Sequence, residues 1–402
     1  MVHWKNVWDK VQAACRGYVR ETTGSPRGAE AVFPPVPWPV LLLAVLVVAV
    51  CVHRPYFANG WFPPGDGGMF AAVLDTMRET GRFLPKTIAY NGFDIPFAYP
   101  PLAFIVGSVF MRLFDVSAVT AQSFLPPTMY VCVLAAYISF VGSVTRDGIA
   151  RLFAVVCFSC TSASFFWIVM GGGLTRSFGF FFFLLLLVSY LRNRGWRRVV
   201  FCGALLGLVF LSHPEFSVAA VVCTAALWLL DGKDRPSVFS MAAVFGIGCC
   251  MAGVWLSQVV AMHGLSVYGE AFGAGLYSFV GRCKNFLYPF SMILYPVPLW
   301  VFVVGGLILL IGENALVPTL FIVSNFIPAR NYTTISAVMG SVLVGVVFSF
   351  AVRLYCKSPS FLRSGRTTRQ VVFFGLASCL LYVFVQYQCE YYDGLPVVKV
   401  RS

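Results

Sequence analysis

Charge is what this sequence has least of. Charged side chains make up 11% of its 402 residues, less than half of the roughly 25% that water-soluble domains use. The 39 phenylalanines outnumber all 29 lysines and arginines together. That shortage excludes a soluble globular chain. Windows such as 37–52, 152–170 and 286–311 are apolar over lengths near or above what a helix needs to cross a ~30 Å hydrocarbon core. The expected fold is all-α: a polytopic transmembrane helical bundle of about 11 to 13 membrane segments.

Other absences narrow the function. The 4 histidines are scattered, with no H-x-x-x-H pair and no Cys/His cluster, so no metal site is indicated. Neither a P-loop nor a dinucleotide fingerprint is present, and no cofactor is expected. Charged residues are almost missing from the helix interiors, which speaks against an ion- or proton-coupled transporter. Most of the 13 cysteines lie inside apolar runs, where cysteine behaves as a small hydrophobe. Cys157 and Cys160, a C-x-x-C at mid-helix, are read that way, as are Cys249 and Cys250. No convincing cleavage site follows the first apolar run, so that run is expected to be a retained membrane helix behind a basic leader, not a signal peptide.

The formal charge of +13 suggests nucleic acid until its placement is examined. The cations gather in short gaps between apolar runs: Arg146 and Arg151; Arg192, Arg194, Arg197 and Arg198; Lys233 and Arg235; Lys357, Arg363, Arg366 and Arg369. This is the positive-inside pattern of a membrane protein, and no nucleic-acid partner is expected. Taking those gaps as cytoplasmic gives helices near 152–170, 177–191, 199–212, 216–230, 237–260, 286–311, 315–327, 333–353 and 371–388. The chain then divides into a cytoplasmic leader (1–36), a membrane domain (37–389) with an external first loop (54–97), and a short external tail (390–402). Arg176, His213, Glu215, His263, Glu270 and Arg330 all fall on the external face. One conflict remains: runs at 98–114 and 118–143, each counted as a crossing, would put Arg146 outside. The first of them, with its two prolines, is the expected exception, re-entrant or broken.

The first loop is too long for a connector. In "PPGDGGMFAAVLDTMRETGRFLP", Met69, Phe70, Val73, Leu74 and Met77 recur at helical spacing before Gly81, which predicts an amphipathic helix lying in the membrane interface. Asp66 stands just before its N-terminus and has two readings. It is either a helix cap or a functional carboxylate, with Gly67 and Gly68 permitting close approach of a ligand. Asp75 and Glu79 read as a solvated face. Glu215 and His213, in "LSHPEFS", are either a helix break or polar groups dipping below the membrane surface, where they would be functional. Arg176 and Arg330 are either snorkelling helix-end cations or anion ligands with forks that match phosphate oxygens. His263 is a lone external histidine whose default role is capping.

The blocks "GRFLP", "IPFAYPPLAF", "GGGLTRS", "LSHPEFS", "HGL" and "ARNYTTISAVMGSVLVG", following the Asp-Gly-Gly of the first loop, resemble those of bacterial GT-C membrane glycosyltransferases. These are similar in plan to the oligosaccharyltransferase catalytic subunit, the protein O-mannosyltransferases and the lipid A aminoarabinose transferase. The resemblance spans roughly residues 37–395. It implies transfer of a sugar from a polyprenyl-phosphate carrier to an acceptor outside the cytoplasmic membrane, usually with inversion. Asp66 would be the general base or the group that positions the acceptor. Arg176 and Arg330 would bind the lipid phosphate, with Glu215, His213, His263, Asn91 and Tyr99 holding donor and acceptor. The run "SFGFFFFLLLL" would either line a groove for the polyprenyl tail or face lipid.

Two departures qualify that resemblance. Many GT-C proteins carry paired acidic residues in the first loop, whereas Asp66 is followed by two glycines, so a metal-free, single-base mechanism is expected. The chain also stops soon after the last apolar run, where the relatives continue into a soluble domain; the expectation is that this domain is missing, encoded separately or lost to a frameshift, with function impaired or the rest supplied by a partner. Two other function classes stay open: a non-catalytic protein that binds polyprenyl lipid or assists envelope assembly, and a lipid or sugar transporter.

Overall fold

The computed structural model describes residues 2–23, 37–53, 66–169, 173–268, 299–327 and 332–356. Over these the chain is helical apart from one small hairpin. The helices are α1 (Val2–Thr23), α2 (Trp38–Val52), α3 (Gly67–Thr80), α4 (Leu102–Phe114), α5 (Ala118–Val144), α6 (Gly148–Cys160) and α7 (Ser162–Val169). They continue as α8 (Gly173–Arg192), α9 (Gly195–Phe210), α10 (Pro214–Leu230), α11 (Val238–His263), α12 (Leu299–Ile311), α13 (Leu316–Phe326) and α14 (Tyr332–Cys356). Strands β1 (Thr87–Tyr90) and β2 (Phe93–Pro96) lie between α3 and α4. Among the described residues, four helices are long and apolar enough to cross a membrane: those of 118–144, 173–192, 238–263 and 333–355. The expected helix near 371–388, the first part of that near 286–311, and the tail lie outside the described residues.

Helix α8 is the axis of the bundle. It packs against α5, α7, α9 and α10, and Phe180, Phe183, Leu184, Leu186 and Leu187 are fully enclosed. A helix apolar on every side is stable only where every side is covered. Most of the Phe-rich run is therefore core, while Phe181, Phe182 and Leu185 are half-buried at its edge. Elsewhere α9 runs alongside α11, and α6 is held between α2 and α14. At the last of these contacts a methyl on Gly345 would stand 2.3 Å from the carbonyl oxygen of Ala150, so glycine is what lets the two backbones meet.

The run expected over 152–170 is two helices. Thr161, extended at φ −79° and ψ 126°, separates α6 from α7, and His53 at the end of α2 pins the break with Nε2 3.0 Å from the Ser159 carbonyl. The nine cysteines whose side chains are described are free thiols, Cys157 and Cys160 buried within α6 and Cys249 and Cys250 exposed on α11.

The conflict over 98–143 turns on where α4 packs. Helix α4 has 13 residues, about 20 Å at 1.5 Å per residue. It packs on α3, and both join the start of α5 and the first turns of α8 in a second core of Phe70, Leu74, Met77, Phe104, Leu125 and Phe178. With α4 removed from the count, α5 brings the chain from this layer back to Arg146. The Arg146 amide indeed donates to the Thr22 carbonyl of the leader helix at 2.9 Å. The apolar face of α3 is thus covered by protein, with Leu74 and Met77 fully enclosed, rather than by the lipid that its amphipathicity suggested. Its C-terminal end is capped by Arg112 of α4, whose Nη2 donates to the Met77 carbonyl at 2.7 Å.

The hairpin was not anticipated. Ile88 pairs with Ile95, and the turn Tyr90-Asn91-Gly92-Phe93 has positive φ at both centres, 52° and 80°. Asn-Gly is the pair that a two-residue hairpin turn prefers, because both positions must be left-handed.

Candidate functional site

At the end of the bundle remote from Arg146, four segments meet. The first is the start of α3. Asp66 precedes the helix with φ −71° and ψ 2°, and its carbonyl accepts the first helical bond from Phe70 at 3.0 Å. Its side chain makes no capping hydrogen bond and is exposed. The helix-cap reading of this carboxylate therefore has no bond to support it. The adjoining glycines serve protein contacts: Gln122 of α5 donates to the Gly67 carbonyl at 3.1 Å, and a methyl on Gly68 would stand 2.9 Å from the Tyr90 hydroxyl.

The second segment is the extended stretch before α4. The amide of Leu102 donates to the Leu211 carbonyl at 2.9 Å, tying this stretch to the turn between α9 and α10. Tyr99 is thereby held edge-on to Phe70, His213 and Phe104, at 5.5, 6.2 and 5.9 Å between ring centres.

The third is the first turn of α8, with Thr175 and Arg176. The fourth is the start of α10. There His213 is the extended N-cap residue at φ −157°, Pro214 occupies the first helical turn, and Glu215 adds an acidic group beside the exposed N–H groups. Gly179 of α8 lets this turn approach: a methyl there would stand 2.8 Å from His213 Cβ.

Tyr99 collects these groups. Its hydroxyl is hydrogen bonded to Thr175 and lies within electrostatic reach of Arg176, Glu215 and Asp66. Burial, reinforced by the two carboxylates and opposed by Thr175 and Arg176, pushes the phenol up to about 12, so near neutrality it is a hydrogen-bond donor and not a base. Burial, helped by the Arg176 charge, holds His213 well below the ordinary imidazole range. The ring is neutral, and its Nδ1 has no hydrogen-bond partner among the described residues. The cluster therefore holds two carboxylates, a guanidinium, a neutral imidazole and two hydroxyls, contributed by four elements. Such a set suits a polar substrate with a negatively charged neighbour.

Of the residues singled out from sequence, Asp66, Tyr99, Arg176, His213 and Glu215 are gathered here. Asn91 is exposed at the hairpin tip, where its left-handed backbone gives it a conformational role. His263 ends α11, which packs on α9; among the described residues no interaction ties it to Tyr99. Arg330 and Glu270 lie outside the described residues. Thr175 and Gln122 were missed: the first adjoins Arg176 in "LTRS", but nothing local marks the second, which is 55 residues from the glycine it holds. No group of three or more His, Cys, Asp or Glu residues able to hold a metal occurs among the described residues.

No family model matches the chain, and no curated protein matches it. Solved structures do. Residues amounting to 89% of this chain superpose on 75% of ArnT from Cupriavidus metallidurans, a structure with undecaprenyl phosphate bound, at TM-score 0.52 and 14% identity. The Archaeoglobus fulgidus oligosaccharyltransferase tethered to an acceptor peptide gives TM-score 0.56 and 12% identity over 87% of this chain, which spans 55% of that protein's length. The oligosaccharyltransferase AglB from Archaeoglobus fulgidus, in complex with an inhibitory peptide and a dolichol-phosphate, gives TM-score 0.50 and 10% identity over 88% of this chain. Such low identities speak to the fold alone: this chain is a multi-pass helical membrane protein that shares the fold of ArnT and of the oligosaccharyltransferase.

Proposed function

We propose that the protein transfers a sugar from a polyprenyl-phosphate-linked donor to an acceptor at the external face of the cytoplasmic membrane. The observation that carries this reading is the gathering of Asp66, Arg176 and Glu215 about Tyr99, on a fold whose neighbours include a structure holding undecaprenyl phosphate.

The chemistry follows from the groups present. As the acceptor's nucleophilic atom attacks the anomeric carbon, Asp66 takes its proton, a contribution of about 10²–10⁴-fold for a well-placed base. The bond from that carbon to the carrier phosphate breaks, and its electron pair stays on the phosphate oxygen. Arg176 faces the charge that develops there, assisted by the Tyr99 and Thr175 hydroxyls as donors. Arg330 is proposed as a second phosphate ligand. Attack and departure on opposite sides of the carbon invert its configuration. Glu215 and the neutral His213 are assigned to sugar or acceptor hydroxyls; His263 and Asn91 remain peripheral candidates for the same task.

The test is transfer of a radiolabelled sugar from polyprenyl-phosphate-sugar donors in reconstituted vesicles, comparing the unaltered protein with Asp66→Asn, with donor binding measured separately. Transfer lost while binding is retained supports the assignment. Equal transfer in both removes Asp66 from the chemistry. Donor bound but never transferred, by either protein and with any acceptor, points instead to a lipid-binding assembly factor on the same scaffold.

A further inference from the structure

A different charge cluster lies at the opposite end of the bundle. Arg176 and Arg192 are separated by sixteen residues of α8, about 24 Å of helix. At the Arg192 end a cavity of about 400 Å³ opens between α2, α5, α6 and α8, lined by Arg151 and Arg192 together with an apolar wall of Trp38, Leu41, Leu152 and Val155.

The two guanidiniums bracket Gly142. A methyl built on that residue would stand 3.7 Å from Arg151 Cζ and 3.8 Å from Arg192 Nη2. Both are held in place by neutral acceptors. Arg151 donates to the carbonyls of Thr145 and Gly142 at 2.7 and 3.2 Å. Arg192 donates to the Ser143 hydroxyl and the Ser139 carbonyl, each at 2.8 Å. Neither forms an ion pair among the described residues, and the Arg146 charge acts on Arg151 as well. The nearby carboxylate, Asp147, is occupied by Arg353, Ser349 and the Ile149 amide. Two fixed like charges this close repel each other, and an anion between them relieves the repulsion.

The apolar wall identifies the kind of anion. Helix α2 shows Val40, Leu43, Val47 and Val50 on its outer side, each more than half exposed, the surface of a helix that faces lipid. Trp38 opens that helix, where indole rings sit at the headgroup level of a membrane. A soluble anion has no use for such a wall, whereas a lipid lays its glycerol and upper acyl chain along it. Basic pockets between membrane helices on this side of a bilayer suit anionic headgroups.

We infer that the cavity bounded by Arg151, Arg192 and Trp38 is a binding site for an anionic phospholipid of the leaflet opposite the Tyr99 cluster. The phosphodiester lies between the two guanidiniums, and the acyl chains run along α2. Nothing in the transfer chemistry requires this site, so it stands or falls separately.

The experiment is native mass spectrometry of the delipidated full chain in detergent, titrated with dioctanoyl phosphatidylglycerol, dioctanoyl phosphatidylcholine or glycerol 3-phosphate. Retention of phosphatidylglycerol over phosphatidylcholine by roughly tenfold or more is expected, reduced to parity in Arg192→Gln. Leu152→Trp, which fills the cavity and leaves both charges, should abolish the preference too; this guards against a charge variant that fails to fold. Equal retention of the two lipids overturns the inference. So does glycerol 3-phosphate that competes as well as the lipid, since the site would then read a free phosphate. A preference surviving in both variants places the lipid elsewhere and overturns the site.

Discussion

Gln122 separates the needs of the site from the needs of the fold. Its side chain is 3% exposed, donates from Nε2 to the Gly67 carbonyl at 3.1 Å, and leaves its own Oε1 buried without a partner among the described residues. Replacing it with leucine removes one hydrogen bond, worth about 0.5–1.5 kcal/mol net, and also removes an unsatisfied acceptor that costs about 1–3 kcal/mol. The Gly67 carbonyl keeps its place in the first turn of α3. Gln122→Leu should therefore melt at the same temperature as the unaltered protein or slightly above it. The loss falls on position: the turn carrying Asp66 loses its link to α5, and displacement of a reacting group by about 1 Å can cost on the order of 100-fold. The assay pairs a melting curve in detergent with turnover and donor binding in vesicles. The expected result is turnover down by roughly ten- to 100-fold, with binding and melting preserved. Turnover that falls only as far as stability falls, or that does not change, refutes the idea that this glutamine positions the Asp66 turn.

Four further outcomes follow from the packing and charge. Leu74→Ala, at a fully enclosed position against Gly107 of α4, should cost about 2–5 kcal/mol, read as lost thermal stability; a change near zero would mean α3 is not docked on α4. Arg353→Ala strands Asp147, whose side chain is 1% exposed, and breaking such a buried pair costs about 3–5 kcal/mol; Asp147→Asn in the same background should recover part of the loss. Gly345→Val should separate α6 from α14 and destabilise by at least about 1–3 kcal/mol, which cross-linking between those helices would detect. The depressed His213 gives stability a pH dependence of known sign. The unfolded chain binds the imidazole proton more readily than the folded one, so the contribution is complete above the usual value near 6.5 and is lost as pH falls below it. His213→Gln should flatten the decline in melting temperature between about pH 6.5 and pH 5; an unchanged slope would mean that this ring is not held neutral by the fold.

The membrane bundle and the ends of most helices were present in the sequence, because each depends on local properties. The length of an apolar run, a proline in a first turn and an arginine after a last turn act within a few residues of themselves. So α8 was expected over 177–191 and is observed from Gly173 to Arg192, and α14 was expected over 333–353 and runs from Tyr332 to Cys356. The Asn-Gly turn is equally local in its determinants.

What covers each apolar face was decided by tertiary structure alone. The same amphipathic pattern in α3 suits lipid or α4, and the same phenylalanines in α8 suit lipid or core; only the arrangement of other helices chooses between them. The site shows this most clearly. Asp66, Tyr99, Arg176 and Glu215 are distant in sequence, and each alone reads equally well as a cap, a belt aromatic or a snorkelling cation. The docking of the Leu102 amide on the Leu211 carbonyl brings the stretch before α4 onto the α9–α10 turn, and with it Tyr99 onto the start of α8. A hydrogen bond between residues more than a hundred apart is set by the packed bundle, and no property of either residue foretells it.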